Sequence, residues 1–277
     1  DALPARYAIL EPSADLRERQ RERLGQRLIP PVFDLVEWLD GPPSEAWNGV
    51  LFANEVIDAL PTPRFTLRDG EVFEEGVAVS ADGRFVRADR PADALLAAAV
   101  RHVERYLEQP FPDGYRSELL PQLPYWIQAV MGGLDRGAML FADYGYTRRE
   151  YYQPDRDDGT LRAYYRHRVH NDPYLWPGLQ DITASVDFTA LAEAGTQAGF
   201  DLAGYTTQAN FLLGNGLQER LNEAEARADE TTLLRLRNEA KRLTLPSEMG
   251  ERFQVMGFSS DVEFGTAFLF NDLSWRL

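Results

Sequence analysis

The stretch Gly49-Val50-Leu51-Phe52-Ala53-Asn54-Glu55-Val56-Ile57-Asp58-Ala59-Leu60-Pro61 decides how this chain reads. Val50 to Ala53 is a short continuous apolar run, the pattern of a strand buried on both faces of a parallel sheet. It runs directly into Asn54 and Glu55, and Asp58 follows three residues later. In an open α/β sheet, ligands bind in the crevice beyond the carboxyl ends of the strands, so a carboxylate pair at this point is placed for chemistry. A helix cap is the competing reading, because helix starts also gather acidic residues.

A second stretch repeats the pattern. Gly137 to Ala142 is apolar and ends in Asp143-Tyr144-Gly145, which puts Asp143 at the same sheet edge as Glu55. Towards the N-terminus, Tyr7 to Leu10 reads as a short strand ending at Glu11, and Ser13 is an N-cap for a helix over Ala14 to Leu28. A strand, a terminal acid and a helix resemble the second βα unit of a nucleotide-binding sheet, where the acid accepts hydrogen bonds from the ribose hydroxyls. An ordinary loop acid is the alternative for Glu11. Leu35 to Leu39 is a third strand closed by Asp40-Gly41-Pro42-Pro43. Asp40 is either a turn acid or a partner for an adenine amino group.

Between the two acid-ended strands, Arg64 to Leu67 and Glu71 to Val79 flank Asp69-Gly70, a hairpin signal. Ala92 to Leu107 is an amphipathic helix, and Leu119 to Met131 is another, interrupted early by Pro121 and Pro124. Thr147 to Val186 is polar, aromatic and Arg-rich, too long for an idle connection. Its His167-x-x-His170 with Asp172 lacks a defined third ligand, so no metal is expected. Further on come a helix from Asp187 to Ala198, a strand from Phe200 to Thr207, and a charged helical stretch from Leu217 to Leu243 breaking near Asp229-Glu230. Phe253 to Phe258 and Thr266 to Phe270 read as a closing antiparallel hairpin.

Composition narrows the function. The 277 residues carry 29 basic and 44 acidic side chains, a formal charge of −15. Nucleic-acid binding needs a basic footprint, whereas an acidic surface attracts cationic partners. The chain contains no cysteine, which excludes disulfides and thiolate catalysis. No apolar run approaches a membrane span and no signal peptide is visible, so a cytoplasmic location is expected. The chain enters a strand almost at once after Asp1, and an upstream part is expected. No Gly-x-Ser-x-Gly elbow points to a hydrolase.

Taken in order, these motifs resemble the MidA type of S-adenosylmethionine-dependent methyltransferase, related to the mitochondrial complex I assembly factor that methylates an arginine. The matching stretches are Tyr7 to Ser13 with Leu16-Arg17 and Gln20, Ala53 to Pro61, Asp143-Tyr144-Gly145, and Gly159-Thr160-Leu161-Arg162. They continue through Asp172-Pro173, Pro177-Gly178, Asp181-Ile182-Thr183, Val186-Asp187-Phe188, Gln208 to Leu212 and Met249 to Phe253. The resemblance implies a class I, Rossmann-like α/β methyltransferase fold: a twisted, mostly parallel seven-stranded sheet with helices on both faces and an antiparallel last strand. It implies one domain over 1–277, with a helical insertion at about 90–132 and a polar, aromatic insertion at about 147–186. The family's first strand and Gly-rich loop, which wraps the methionine part of the donor, find no counterpart after Asp1. Ser185 stands where relatives carry a bulkier residue such as histidine.

The resemblance implies S-adenosyl-L-methionine as cofactor, held by Glu11, Ser13, Asp40 and Asn54, and a protein partner with an exposed arginine, the chain itself forming a homodimer. Methyl transfer is an in-line displacement governed by positioning. A guanidinium is cationic and a poor nucleophile, and carboxylates can grip it by paired hydrogen bonds and stabilise charge arriving on it. Glu55 and Asp58 are first choices for that work, with His167 taking the departing proton. Asp143, Tyr144, Arg162, Asp181 and Thr183 are expected to bind the acceptor. Capping and loop hydrogen bonds are the competing roles for Asp181 and Thr183. A catalytically silent methyltransferase-like assembly protein is the alternative function.

Overall fold

The computed structural model describes residues 3–166 and 168–277. The chain begins with β1 (Tyr7–Leu10), α1 (Ala14–Arg27), the short α2 (Pro30–Phe33) and β2 (Val36–Leu39), and β1 and β2 pair in parallel. Helix α1 starts where its sequence says it should: the Ser13 hydroxyl accepts the Leu16 N–H at 3.3 Å, satisfying a donor that has no partner within the helix.

Strand β3 (Trp47–Asn54) is followed by a separate antiparallel unit. That unit contains β4 (Arg64–Arg68), β5 (Glu71–Val79), β6 (Phe85–Pro91), helix α3 (Ala94–Leu107) and β7 (Arg116–Glu118). The strand order is β6-β5-β4-β7, and α3 packs Leu96, Val100 and Val103 at helical spacing onto Phe65, Leu67 and Val72. Asp93 caps α3 by accepting the Leu96 N–H at 2.8 Å. The insertion expected as helical at about 90–132 thus holds α3, β7 and a second helix, α4 (Leu123–Met131), and belongs to a larger β-rich unit. Helix α4 starts later than expected, with Pro124 in its first turn, where a missing N–H costs nothing.

Strand β8 (Leu134–Tyr146) is the spine of the main sheet. After it come α5 (Arg148–Tyr151), β9 (Arg162–Tyr165), β10 (Arg168–His170), β11 (Asp181–Thr183), β12 (Val186–Asp187), α6 (Phe188–Gln197), β13 (Asp201–Thr207), α7 (Gln208–Gly214), α8 (Leu217–Glu225), α9 (Glu230–Thr244) and β14 (Phe253–Ser260). Strand β14 lies antiparallel between β8 and β13. Along the opposite side of β8, β3 pairs in parallel up to Asn54↔Ala142, and β12 resumes pairing at Val186↔Gly145. The segment Thr266–Phe270, expected as a hairpin strand, forms turns instead. The second neighbour of β14 is already β8, so the strand needs no hairpin partner.

The main core lies between this sheet and helices α4 and α6, with Met139, Phe141, Phe188 and Phe258 fully enclosed. Each such side chain contributes about 2 kcal/mol of transfer free energy. The expectation that Val50 to Ala53 is buried on both faces is corrected. Val50 is 75% and Phe52 63% exposed, because β3 pairs only with β8 and its other edge is unpaired among the described residues. Strand β1 likewise pairs only with β2, and no described residue from Leu3 to Phe52 is buried.

Candidate active site

The site lies at the break between the end of β3 and the start of β12, beside Asp143 and Tyr144 on β8. Glu55 is the first residue off the ladder. Its N–H still donates to the Ala142 carbonyl at 3.0 Å, but its backbone turns left-handed, with φ of 51°. That conformation is strained for a side chain of this kind and recurs at functional turns. Its carboxylate is exposed and accepts the Asn54 amide at 3.3 Å.

The turn carries Ile57 into the core and Asp58 into the break. Asp143, itself buried, clamps the turn from below: its Oδ2 accepts the N–H of Ile57 at 3.1 Å and of Asp58 at 3.3 Å, and its Oδ1 accepts the Tyr144 N–H at 3.0 Å. Burial, and then the charge of Asp58, push the Asp143 carboxyl up to about 7. Asp143, expected to bind substrate, has both oxygens engaged by backbone donors, and these bonds hold the Asp58 turn against β8.

Asp58 is 5% exposed. The Tyr144 hydroxyl donates to its Oδ2 at 2.5 Å, and its carbonyl accepts the Ala184 N–H at 3.1 Å. Its Oδ1 has no partner among the described residues. Burial raises the Asp58 pKa, the Tyr144 bond opposes this, and the Asp181 charge adds to it. A buried carboxylate with one oxygen bonded to Tyr144 and the other unpartnered is an acceptor short of a donor, since leaving such an atom unpaired is costly.

The three-stranded sheet β10-β9-β11 stands over this point. Its register opposes Thr183 to Arg162 and Asp181 to Tyr164, so these four side chains share one face. Thr183 is buried with its hydroxyl unpartnered among the described residues, and Asp181 is exposed. Arg162 reaches back to the Leu161 carbonyl at 2.9 Å. The proposed proton acceptor His167 lies outside the described residues. His170 turns its ring edge to Trp176, and among the described residues no group of three or more His, Asp or Glu could hold a metal.

The flap is anchored by a residue that sequence reasoning missed. Glu118, fully buried on β7, accepts the Thr160 N–H at 2.6 Å, the Thr160 hydroxyl at 2.7 Å and the Tyr151 hydroxyl at 3.0 Å through Oε1. Thr160 Oγ1 in turn accepts the Ser185 N–H at 2.9 Å. Gly159, at φ +68°, lies so close that a Cβ would meet Glu118 Oε2 at 2.2 Å. The only sequence signal was the Gly159-Thr160-Leu161-Arg162 match. Tyr151 and Tyr152, both buried, pack this insertion against β7.

Glu11 follows β1, with Oε1 accepting the Ser13 N–H at 2.9 Å and Oε2 the Gln20 amide at 3.4 Å. The Ser13 hydroxyl is occupied as the α1 cap. Asp40, just past β2, accepts Arg17 at 2.8 Å and is otherwise exposed. Glu11 and Asp40 thus stand beyond the carboxyl ends of adjacent parallel strands, as Asn54 and Glu55 stand at the end of β3.

Residues 2–206 match the family model described as "Putative S-adenosyl-L-methionine-dependent methyltransferase". The chain is 30% identical over 217 residues to the mitochondrial protein arginine methyltransferase NDUFAF7 homolog of Drosophila melanogaster, covering 75% of this chain and 46% of that protein. It is 32% identical over 210 residues to protein arginine methyltransferase NDUFAF7 of Mus musculus, covering 73% and 43%. The chain therefore spans less than half the length of these relatives. Two crystal structures of COG1565 superfamily proteins from Burkholderia thailandensis are 41% identical with TM-scores of 0.89 and cover 99% of this chain. This chain covers 71% and 69% of theirs, and the second is bound to S-adenosyl-homocysteine. The chain belongs to this S-adenosyl-L-methionine-dependent methyltransferase family.

Proposed function

We propose that the chain is part of a methyltransferase that transfers the methyl group of S-adenosyl-L-methionine to an arginine nitrogen of a protein. One observation carries the reading: Asp58, buried at the break in the sheet, keeps a carboxylate oxygen without a partner among the described residues, and a guanidinium N–H would satisfy it.

The residues fit the donor in part. Glu11 uses one lone pair on each oxygen for Ser13 and Gln20 and keeps others for vicinal ribose hydroxyls. Asp40 and Asn54 stand at the carboxyl ends of β2 and β3, the former exposed to an adenine amino group. When bound, the donor supplies a methyl group on a cationic sulfur. The two unpaired edges of β1 and β3, with Tyr7, Leu10, Val50 and Phe52 exposed on them, support a further strand lying between them. Its following loop would hold the methionine part of the donor, which no residue named above grips.

On the acceptor side, Asp58 Oδ1 takes one guanidinium N–H, and Glu55 and Asp181 add negative charge at the rim. Paired carboxylates fix the plane of the guanidinium and aim one nitrogen. Tyr144 keeps Asp58 Oδ2 occupied, so Oδ1 is the oxygen left to the acceptor. Burial raises the Asp58 pKa, which makes its carboxylate a better acceptor for the proton that the nitrogen sheds.

The test is mass-spectrometric detection of methylated arginine in a peptide library incubated with donor and with a version of the protein extended upstream. Asp58→Asn should abolish transfer while S-adenosyl-homocysteine still binds by calorimetry. Undiminished methylation by Asp58→Asn would refute the assignment of this acid.

A further inference from the structure

A second cavity, of about 270 Å³, lies behind the Asp58 turn between α3, the start of α4, and α6. Ile57 and Ala184 line it, but their chain neighbours Asp58 and Thr183 do not, and neither do Asp143, Tyr144 or Asp181. The wall between cavity and site is thus one residue thick and is closed by the Ala184 N–H bond to the Asp58 carbonyl. Protein interiors pack with voids seldom larger than a water molecule, whereas this space has room for about nine waters.

Its walls and its polar end differ. Val103, Leu119, Leu123 and Pro124 make one side hydrocarbon. At the other end Arg148, 2% exposed, is locked in place. Its Nε donates to Asp187 at 3.1 Å, and its two terminal nitrogens donate to Glu193 at 2.7 and 2.6 Å. Its guanidinium carbon lies 4.7 Å from the Tyr106 ring centre. Arg148 is therefore committed to its own partners and is a poor anchor for an anion. One guanidinium faces two carboxylates, which leaves surplus negative charge, and Glu193 Oε1 keeps a lone pair beyond its single Arg148 bond. His102, 3.4 Å from Glu193 Oε2, stands at the mouth.

We propose that this cavity binds a small monocation with a hydrocarbon body, an alkylamine in chemical class, its ammonium group on Glu193 and its chain against Val103 and Leu123. Concave, mostly apolar pockets with a few convergent polar groups are the usual form of a small-molecule site. A ligand here touches Ile57 and Ala184, the residues adjacent to Asp58 and Thr183, without entering the acceptor site.

Calorimetric titration of the whole chain with n-hexylamine, 1-hexanol and hexanoate tests the proposal. Hexylamine should bind at least tenfold more tightly than hexanoate, with hexanol between them. Ala99→Phe, which fills the cavity from α3, should weaken hexylamine at least tenfold. Glu193→Gln preserves shape and should erase the preference for amine over alcohol. If Ala99→Phe fails to fold, as its circular-dichroism melt would reveal, Glu193→Gln decides alone. Equal affinity for amine and acid, an unchanged preference in Glu193→Gln, or no binding of hexylamine at all would overturn the assignment.

Discussion

The Asp143 clamp ties stability to pH in a way that can be isolated. The carboxyl is displaced from 3.8 to about 7, first by burial and then by the neighbouring Asp58 charge, so the folded chain holds this proton far more tightly than the unfolded chain. Below about pH 4 the group is protonated in both states. As pH rises, the unfolded chain releases the proton first, so the folded state loses stability until the native carboxyl ionises near pH 7, and the loss then levels off. A displacement of this size corresponds to roughly 4 kcal/mol, a large part of the 5–15 kcal/mol typical of a domain. Asp143→Asn removes the titration while keeping an acceptor for the Ile57 and Asp58 N–H groups. Urea unfolding followed by tryptophan fluorescence at steps from pH 4.5 to 8 should show the wild type losing stability relative to Asp143→Asn by several kcal/mol. Parallel pH profiles for the two proteins would refute the clamp as an ionisable, buried device.

Three further outcomes follow from the same geometry. Tyr144→Phe leaves Asp58 without its hydrogen-bond donor. Loss of a bond to a charged group, about 1.5–3 kcal/mol, should lower kcat for peptide methylation roughly ten- to hundredfold, and the acid limb of the pH–rate profile should move upward because the Tyr144 bond now lowers the Asp58 pKa. At Glu55 backbone and charge separate: Glu55→Gly should raise Tm by relieving the left-handed backbone, worth about 1 kcal/mol, whereas both Glu55→Gly and Glu55→Gln should lose turnover if the carboxylate grips the acceptor. Gly159→Ala drives a Cβ into Glu118 and strains a backbone at φ +68°, so a drop in Tm worth about 2 kcal/mol or more, read by calorimetry, is the expected result.

What the sequence made legible was local chemistry. Ser13 and Asp187 cap helices because a short polar side chain before an apolar-periodic run has few other uses. The acids after β1, β3 and β8 were visible because an apolar run ending in a carboxylate is rare. Their division of labour was not legible: Asp143 and Asp58 carry the same side chain. Only the placement of β8 against the Ile57-Asp58 backbone makes one a clamp and the other an open acceptor. Glu118 was invisible for a related reason. Its partners Thr160 and Tyr151 lie 42 and 33 positions away in the chain, and no spacing rule reaches that far.

The misreading of Val50 to Ala53 is informative in its own right. The run has the composition of a strand with neighbours on both sides, yet it has one, and while Leu51 and Ala53 pack on the core, Val50 and Phe52 face water. Exposed apolar residues are ordinary one at a time, but a contiguous set marks a surface that something else covers. Tyr7 and Leu10 on β1 pose the same mismatch from the other side. Among the described residues β1 has β2 and β3 has β8 as its one strand partner, so both strands carry a free edge beside their exposed apolar side chains. The disagreement between sequence pattern and exposure is therefore itself an observation: it marks the sides of β1 and β3 that no described residue covers.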